Sequence, residues 1–289
     1  PAHYHLGHTF QHVEAERRGV RVRFAEGRVE HADLLVGGDG IRSGVRAQLA
    51  PDVQPVYSGY YIWRGAPNEA DLAPDTLASI FPYFVFFLPE RQQVIGYPIS
   101  GLNNDLRPGH RRYNFIWYRV GDAQTLKDMC VDENGHQHEY SVPPPLIRKD
   151  LIAQMRADAE RIMPTAFINC LRNIKRPFFT PIYDFSAPRI VFGRAALVGD
   201  AGSSSRPHMG FGVAKAGGDA QALAQALAAH DDVDAALAAY NAVRQPIGER
   251  IMLHGRKLGT HLGVDLKTDA GRWTARAEPM ITQLPSLAD

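Results

Sequence analysis

A short apolar run that ends in glycine and aspartate offers a carboxylate suited to ligand binding. Residues 195–202, AALVGDAG, place Asp200 directly after that run. The run predicts a buried strand, and open α/β sheets bind ligands at the carboxyl ends of their strands. A carboxylate at such a position can accept hydrogen bonds from the hydroxyl groups of a sugar or a ribityl chain. The segment therefore predicts a site for a polyhydroxylated ligand with Asp200 as acceptor.

Two glycines stand a few residues further on, immediately before a predicted helix. Gly210 and Gly212 flank Phe211, and apolar residues at helical spacing predict an Ala-rich helix over 212–229. Glycine lets the backbone approach a ligand closely. The amides of a helix N-terminus add a partial positive charge of roughly half a unit. This arrangement suits a phosphate or the electron-rich pyrimidine edge of a flavin.

A second segment of the same kind lies about 160 residues earlier. Residues 32–38, ADLLVGG, predict another strand that ends in glycine, and Asp39 and Gly40 follow it. Arg42 and Arg46 carry positive charges that could pair with a phosphate. Either segment alone is typical of a tight turn with an N-cap. Both together, in this order, favour a ligand-binding role over that interpretation.

Length and composition restrict what else the chain can be. Its 289 residues are 45% hydrophobic and 22% charged, which is typical of globular proteins. The 32 basic and 31 acidic residues leave a formal charge of +1, so no charge excess attracts nucleic acid or an anionic membrane. Two cysteines, Cys130 and Cys170, predict no disulfide framework and favour a reducing compartment. We therefore expect a cytoplasmic protein that binds neither nucleic acid nor membranes.

Residue periodicity predicts a mixed α/β fold with an inserted antiparallel sheet. Strands rich in aromatic and β-branched residues are expected at 57–64, 81–88, 94–99 and 111–120. The expected later elements are a helix over 146–163, strands within 178–185 and 189–198, and helices over 212–229 and from 233 onward. Pro246 is expected to kink or split the last helix.

The two glycine-aspartate segments resemble those of a known family, the FAD-dependent aromatic hydroxylases (para-hydroxybenzoate hydroxylase-like monooxygenases). Residues 34–46 are similar to the DG motif of that family, and residues 197–220 are similar to its GD motif. The resemblance implies a Rossmann-like FAD/NAD(P)-binding domain at 1–52 and 178–262. It also implies a β-sheet substrate domain at 53–177 and a C-terminal tail at 263–289.

The resemblance further implies an activity. FAD would accept a hydride from NADH or NADPH, and the reduced flavin would react with O2 to form a C4a-hydroperoxide. That species would hydroxylate a small, electron-rich aromatic or hydroxypyridine ring. No catalytic triad is then needed, because the cofactor carries the chemistry and the protein supplies position and exclusion of water.

The resemblance carries cofactor contacts over to particular positions of this chain. Those positions are Asp39, Gly40, Arg42, Asp200, Gly210, Phe211 and Gly212. By this likeness Asp200 would bind the ribityl chain, and Asp39 with its neighbours would lie near the pyrophosphate. The glycines and Phe211 would contact the pyrimidine end of the isoalloxazine.

The catalytic candidate Pro207 carries over in the same way, whereas His208 and three aromatic residues are candidates because of their residue type and position. Pro207 would lie beside the flavin where oxygen reacts, and His208 would contact the substrate or transfer a proton. Tyr61, Trp63 and Tyr97 could line an aromatic substrate pocket. For each of these aromatic residues, packing within the sheet is the alternative. For His208 the alternative is a loop histidine held by a backbone hydrogen bond. No metal site is expected.

One departure from the family leaves the function open. The strand, G-x-G-x-x-G turn and helix with which the family begins do not occur near the start of this sequence. We therefore expect an N-terminally truncated fragment, a split-gene product or a degenerate relative. The alternative function is an incomplete flavoprotein that binds an aromatic ligand without catalysis of its own. A partner chain that supplies the ADP-binding half fits that alternative, and a homodimer is the other oligomer expected. A third candidate function is a different reaction by the same fold, such as epoxidation.

Overall fold

The computed structural model describes residues 3–263, which form two compact units. The first unit combines residues 3–56 with Tyr183–Gly259, and the second combines Tyr57–Ile182 with residues 260–263. The first unit is thus built from two separate stretches of chain. The predicted tail at 263–289 lies outside the described residues except for Gly263.

Strands and helices alternate along the chain. The strands are β1 (Phe10–Glu16), β2 (Gly19–Phe24), β3 (Val29–Ala32), β4 (Leu35–Gly37), β5 (Val56–Gly65), β6 (Val85–Phe87), β7 (Gln92–Ile99), β8 (Arg112–Val120), β9 (Phe178–Ser186), β10 (Val191–Phe192), β11 (Ala195–Leu197) and β12 (Ser203–Ser204). The α-helices are α1 (Gly44–Leu49), α2 (Pro74–Ser79), α3 (Ala123–Met129), α4 (Lys149–Ile162), α5 (Thr165–Arg172), α6 (Gly212–Ala229) and α7 (Val233–Gly259). Within residues 3–263, no helix is both long and apolar enough to span a bilayer.

The centre of the first unit is the short sheet β10-β11-β4. Every residue of β11 is buried, as the apolar run that forms it predicts. Leu197 packs in one cluster with Val45 of α1, Leu223 of α6 and Leu237 of α7. A separate antiparallel sheet, β1-β2-β3, buries alternate valines of β1 and β2. Helices on a partly parallel sheet therefore hold the two predicted ligand-binding segments.

The second unit is an antiparallel sheet in the order β9-β5-β8-β7-β6, accompanied by helices. Side chains alternate between its two faces, because successive residues of a strand point to opposite sides. Phe115 lies on one face against Phe167 of α5, and Arg119 on the same face pairs with Asp158 of α4. Helices α4 and α5 thus contact that face of the sheet.

The predicted mixed α/β class with an antiparallel insert is confirmed, and two details differ. Only Val85–Phe87 of the strand expected at 81–88 is extended. Pro82 lacks an amide for the ladder, and the Tyr83 amide bonds to the Ile80 carbonyl in a turn. The expected split at Pro246 does not occur, since α7 continues past it to Gly259. Pro246 is exposed, so water can bond the backbone carbonyl that loses its helical partner.

Candidate cofactor and substrate sites

Two parallel strand ends bring the glycine-aspartate segments to one edge of a sheet. β4 and β11 are parallel, with Gly37 opposite Leu197. The Val198 amide continues the pairing by donating to the Gly37 carbonyl at 3.0 Å. Parallel strands share their carboxyl ends, so Asp39 and Asp200 both follow strands that end at this edge. The sheet register therefore juxtaposes segments that lie far apart in sequence.

The turn after β4 is a pre-shaped connection into α1. Gly40 has a φ of 76°, a left-handed conformation that favours glycine. The Asp39 carboxylate is exposed and accepts the Val45 amide at 3.2 Å. The Ser43 hydroxyl caps α1 by accepting the Arg46 amide at 2.9 Å. Asp39 thus orders the start of α1 and remains accessible at the surface.

The two arginines of this segment have different environments. Arg46 is only 3% exposed and donates to the carbonyls of Ala201 (3.2 Å) and Ile41 (2.6 Å). Its guanidinium also lies 4.2 Å from the centre of the Phe185 ring. The expectation that Arg46 answers a phosphate is therefore wrong, because the side chain points inward and links the two motif segments. Arg42 is exposed.

A buried ion network holds the turn that carries Asp200. The Gly199 amide donates to the Asp219 carboxylate at 2.9 Å, and the Gly199 carbonyl accepts the Lys215 ammonium at 2.6 Å. Lys215 also contacts Asp219 at 2.9 Å and the Ser203 carbonyl at 3.0 Å. Arg244 of α7 donates to the other Asp219 oxygen at 2.8 Å. Both backbone groups of Gly199 are thereby tied to α6.

The Asp200 carboxyl group is accessible yet poorly solvated. The residue is exposed at the surface, and its carboxylate accepts no hydrogen bond from any residue within 3–263. Desolvation by the surrounding protein raises its pKa above the ordinary 3.8; the Lys215 charge opposes this, and the Asp219 charge adds to it. A carboxylate that is crowded by protein but lacks a protein donor is suited to accept hydrogen bonds from a ligand.

A second buried ion cluster anchors the segment that carries Pro207. Asp184 accepts Arg206 at 2.7 Å and Arg256 at 2.5 Å, and its side chain is only 2% exposed. Gly255 of α7 lets the helix pack closely, because a Cβ there would meet the Arg206 backbone nitrogen at 3.2 Å. The turn Pro207–Met209 starts directly after Arg206 and is thus held to α7 at its base.

The start of α6 is open on the outside and has no side-chain cap. Gly210 has a φ of 67°, and a Cβ at Gly210 or Gly212 would meet no atom within 4 Å. Phe211, the N-cap residue, makes no capping bond, so the first amides of this 18-residue helix receive no side-chain acceptor. Pro207 is exposed and His208 is half-buried. This uncapped, open N-terminus can take an electron-rich group.

The three aromatic residues predicted to line a substrate pocket do not share one face of the sheet. Tyr61 and Trp63 are buried and pack edge-on against Phe179, with ring centres 6.4 and 5.6 Å apart. Tyr97 is half-buried on the opposite face, where its ring stacks on Phe84 at 4.7 Å. A single pocket on one face therefore cannot be lined by all three side chains.

The ion network includes residues that motif reasoning did not single out. Lys215 and Asp219 stand four residues apart inside an otherwise Ala-rich helix, and that spacing of opposite charges was a usable signal. Asp184, Arg206 and Arg256 lie far apart in sequence and meet only through tertiary packing. No local pattern connects these three residues.

Comparison with known proteins agrees with this geometry. Residues 149–254 match the model of an FAD binding domain, and residues 57–184 match an FAD binding domain-like model. In fold and sequence the chain is thus similar to FAD-dependent aromatic hydroxylases.

Individual relatives make the likeness more specific. The 2,6-dihydroxypyridine 3-monooxygenase of Paenarthrobacter nicotinovorans is 29% identical over 263 residues, which span 91% of this chain and 65% of that protein. The aurachin C monooxygenase/isomerase of Stigmatella aurantiaca is 31% identical over 78% of this chain and 50% of its own length. The chain thus spans between half and two thirds of these relatives.

Solved structures show the same fold. The 2,6-dihydroxypyridine-3-hydroxylase of Arthrobacter nicotinovorans superposes with a TM-score of 0.85 at 28% identity, over 91% of this chain and 66% of that one. HpxO of Klebsiella pneumoniae, complexed with FAD and uric acid, superposes with a TM-score of 0.72 at 24% identity. That match covers 96% of this chain and 63% of HpxO.

Proposed function

We propose that this chain is the substrate-binding and FAD-contacting part of a monooxygenase that hydroxylates an electron-rich aromatic or hydroxypyridine ring. One observation carries the proposal. Asp200, without a protein donor, and the uncapped N-terminus of α6 both follow β11 in a fold that matches an aromatic hydroxylase. The electron donor proposed is NADH or NADPH, and the co-substrate is O2.

The residues of the first unit fit the chemical groups of FAD. The Asp200 carboxylate would accept hydrogen bonds from ribityl hydroxyls, for which its lack of a protein donor leaves it free. The backbone at Gly210, Phe211 and Gly212 would receive the electron-rich end of the ring system, since no side chain fills the space beside either glycine. We assign Asp39, with neighbouring Gly40 and Arg42, to the pyrophosphate.

FAD, when bound, supplies hydride acceptance and oxygen activation, and the protein supplies position and shielding. The Arg206–Asp184–Arg256 cluster would hold the Pro207 turn rigid at the cofactor. Pro207 presents no amide proton there. The His208 imidazole is half-buried, and we assign it to substrate contact or proton transfer at a ring nitrogen.

Turnover by the full-length protein tests the proposal. After saturation with FAD, the protein receives NADH or NADPH with 2,6-dihydroxypyridine, and oxygen uptake is measured beside hydroxylated product. The expected result is uptake in a one-to-one ratio with product, lost in Asp200→Ala together with flavin absorbance. NADH oxidation that yields only hydrogen peroxide with every ring tested would refute aromatic hydroxylation. A colourless protein that FAD cannot reconstitute would favour an incomplete flavoprotein.

A further inference from the structure

A cavity of about 350 Å³ lies at one end of two neighbouring strands of the second unit. It is lined by residues 66–68, which follow β5, and by residues 173–176, which connect α5 to β9. A volume of this size falls within the range of small-molecule sites. None of the candidate cofactor, catalytic or substrate residues lines it, so the cavity is separate from the sites described above.

The two segments that line the cavity are held in place by the protein itself. Gly65 lets Ile174 pack closely on the end of β5, because a Cβ at Gly65 would collide with the Ile174 side chain. The Pro67 carbonyl accepts the Tyr113 amide at 3.0 Å, which ties its segment to β8. Pro67 and Ile174 are buried and give the cavity an apolar wall. A ligand therefore finds a site that is already formed, which lowers the cost of binding.

Three basic side chains belong to residues 173–176 or contact them, and none has a carboxylate partner. Lys175 and Arg176 are exposed and form neither a hydrogen bond nor an ion pair with any described residue. Arg156 of α4 donates to the Ile174 carbonyl at 3.2 Å and forms no ion pair in the described part of the chain. Cations that the protein does not neutralise attract anions, and a guanidinium matches the planar geometry of a carboxylate.

Two asparagines that line the cavity have unused side-chain oxygens. The Asn68 Nδ2 donates to the Asp71 carboxylate at 2.9 Å. The Asn173 Nδ2 donates to the Asn169 carbonyl, also at 2.9 Å. Neither carboxamide oxygen accepts a hydrogen bond from a residue within 3–263. These oxygens can each accept one, so the cavity suits a ligand that carries a hydrogen-bond donor beside its anionic group.

We propose that this cavity binds a small hydroxycarboxylate, an aliphatic acid that carries a hydroxyl group. Lys175 and Arg176 would pair with the carboxylate. The Asn173 oxygen, on the same segment, would accept a hydrogen bond from the hydroxyl, and the apolar wall would contact the carbon chain. The bound acid would join the end of β5 to the connection between α5 and β9 and would thereby stabilise the second unit. This site depends neither on FAD nor on hydroxylation.

An NMR titration of the isotope-labelled full-length protein tests the proposal without NADH or an aromatic ring. The probes are 3-hydroxybutyrate, butyrate, which lacks the hydroxyl, and 1,3-butanediol, which lacks the carboxylate. 3-Hydroxybutyrate should shift the backbone amide signals of residues 173–176 saturably. Butyrate should bind about twofold to tenfold more weakly, the range expected for the loss of one neutral hydrogen bond. The diol should cause no saturable shift.

Substitutions of the lining residues locate the site. Arg176→Gln should weaken 3-hydroxybutyrate binding by about tenfold to a hundredfold, because it removes a hydrogen bond to a charged group. Arg172→Gln is the matched control: it removes the same charge four residues earlier, where the arginine pairs with Glu160, and should change the affinity by less than about twofold. Asn173→Ala should abolish the preference for 3-hydroxybutyrate over butyrate and leave butyrate binding unchanged.

Three outcomes would overturn the proposal. The first is the absence of a saturable shift at residues 173–176. The second is an equal loss of affinity in Arg176→Gln and Arg172→Gln, since binding would then follow net charge alone. The third is inorganic phosphate that binds as tightly as 3-hydroxybutyrate, which would indicate a general anion site. None of these results bears on the proposed hydroxylation, because no lining residue is assigned to it.

Discussion

Removal of the Asp219 carboxylate should release the turn that carries Asp200. Asp219 accepts the Gly199 amide and pairs with both Lys215 and Arg244. Asp219→Ala leaves the Lys215 ammonium buried without its counter-charge and leaves the Gly199 amide without its acceptor. The structural prediction is a large loss of unfolding free energy together with a weaker FAD site.

The burial of this pair sets the expected size of the effect. The Lys215 and Asp219 side chains are 6% and 3% exposed. Removal of one partner of a buried pair costs about 3–5 kcal/mol, because the remaining charge is uncompensated. Lys215→Met should cost less, since Asp219 keeps Arg244 at 2.8 Å. The double variant should lose less unfolding free energy than the two single variants lose together, and this difference, the coupling energy, should be about 1–3 kcal/mol.

Chemical unfolding followed by circular dichroism measures all three variants. Desolvation already lowers the Lys215 pKa below 10.5, and the Asp219 charge opposes that shift. Without Asp219 the folded-state pKa falls further, so the folded protein binds fewer protons than the unfolded chain over a wider pH range. As the pH rises toward 10.5, the stability of Asp219→Ala should therefore increase more steeply than that of wild type. Strictly additive single losses, with the same pH slope as wild type, would refute the buried-pair reasoning.

Three other perturbations test the candidate cofactor site. Gly212→Ala should raise the unfolding free energy by up to about 1 kcal/mol, because alanine favours helices and its Cβ meets nothing within 4 Å. The same variant should weaken FAD binding, and unchanged affinity in a fluorescence titration would argue against a close approach of FAD to this backbone. The pKa of Asp200 is raised above 3.8, so FAD affinity should increase as the pH rises through that pKa and the carboxylate forms. Asp200→Asn should abolish this pH dependence, and the same pH profile in wild type and variant would exclude the assigned role. Asp184→Asn should lower the unfolding free energy by about 3 kcal/mol or more, because Arg206 is 5% exposed and loses its charged partner; a loss below about 1 kcal/mol in urea unfolding would show that the cluster is dispensable.

Local pattern predicted the elements that carry the first-unit site. The apolar run before Asp200 is the buried strand β11, and the Ala-rich periodicity after Gly212 is α6. These predictions succeed because strand burial and helix amphipathicity are recorded in neighbouring residues. Pro246 was harder to interpret, since a helix tolerates proline where water can reach the freed carbonyl, and that exposure depends on packing.

The local sequence did not predict the direction in which several side chains point. Arg46 has the sequence context of a phosphate-binding arginine, yet it turns inward to the Ala201 carbonyl. Tyr61 and Tyr97 are equally plausible as pocket residues by type, but the strand register puts them on opposite faces. Register depends on partners many residues away, so the type of a residue does not report which face it occupies.

The amino-acid sequence by itself determined the kinds of element present, the two glycine-aspartate segments and their family likeness, because each depends on residues within one or two turns of chain. The tertiary structure alone decided which charges are buried together and which aromatic residues share a surface. Lys215, Asp219 and Arg244 form a network only when α6 packs on α7, and residues 66–68 and 173–176 line one cavity only because β5 and β9 are neighbours in the sheet. Contacts between distant segments are selected by the free energy of the whole fold, and no short stretch of sequence contains that information.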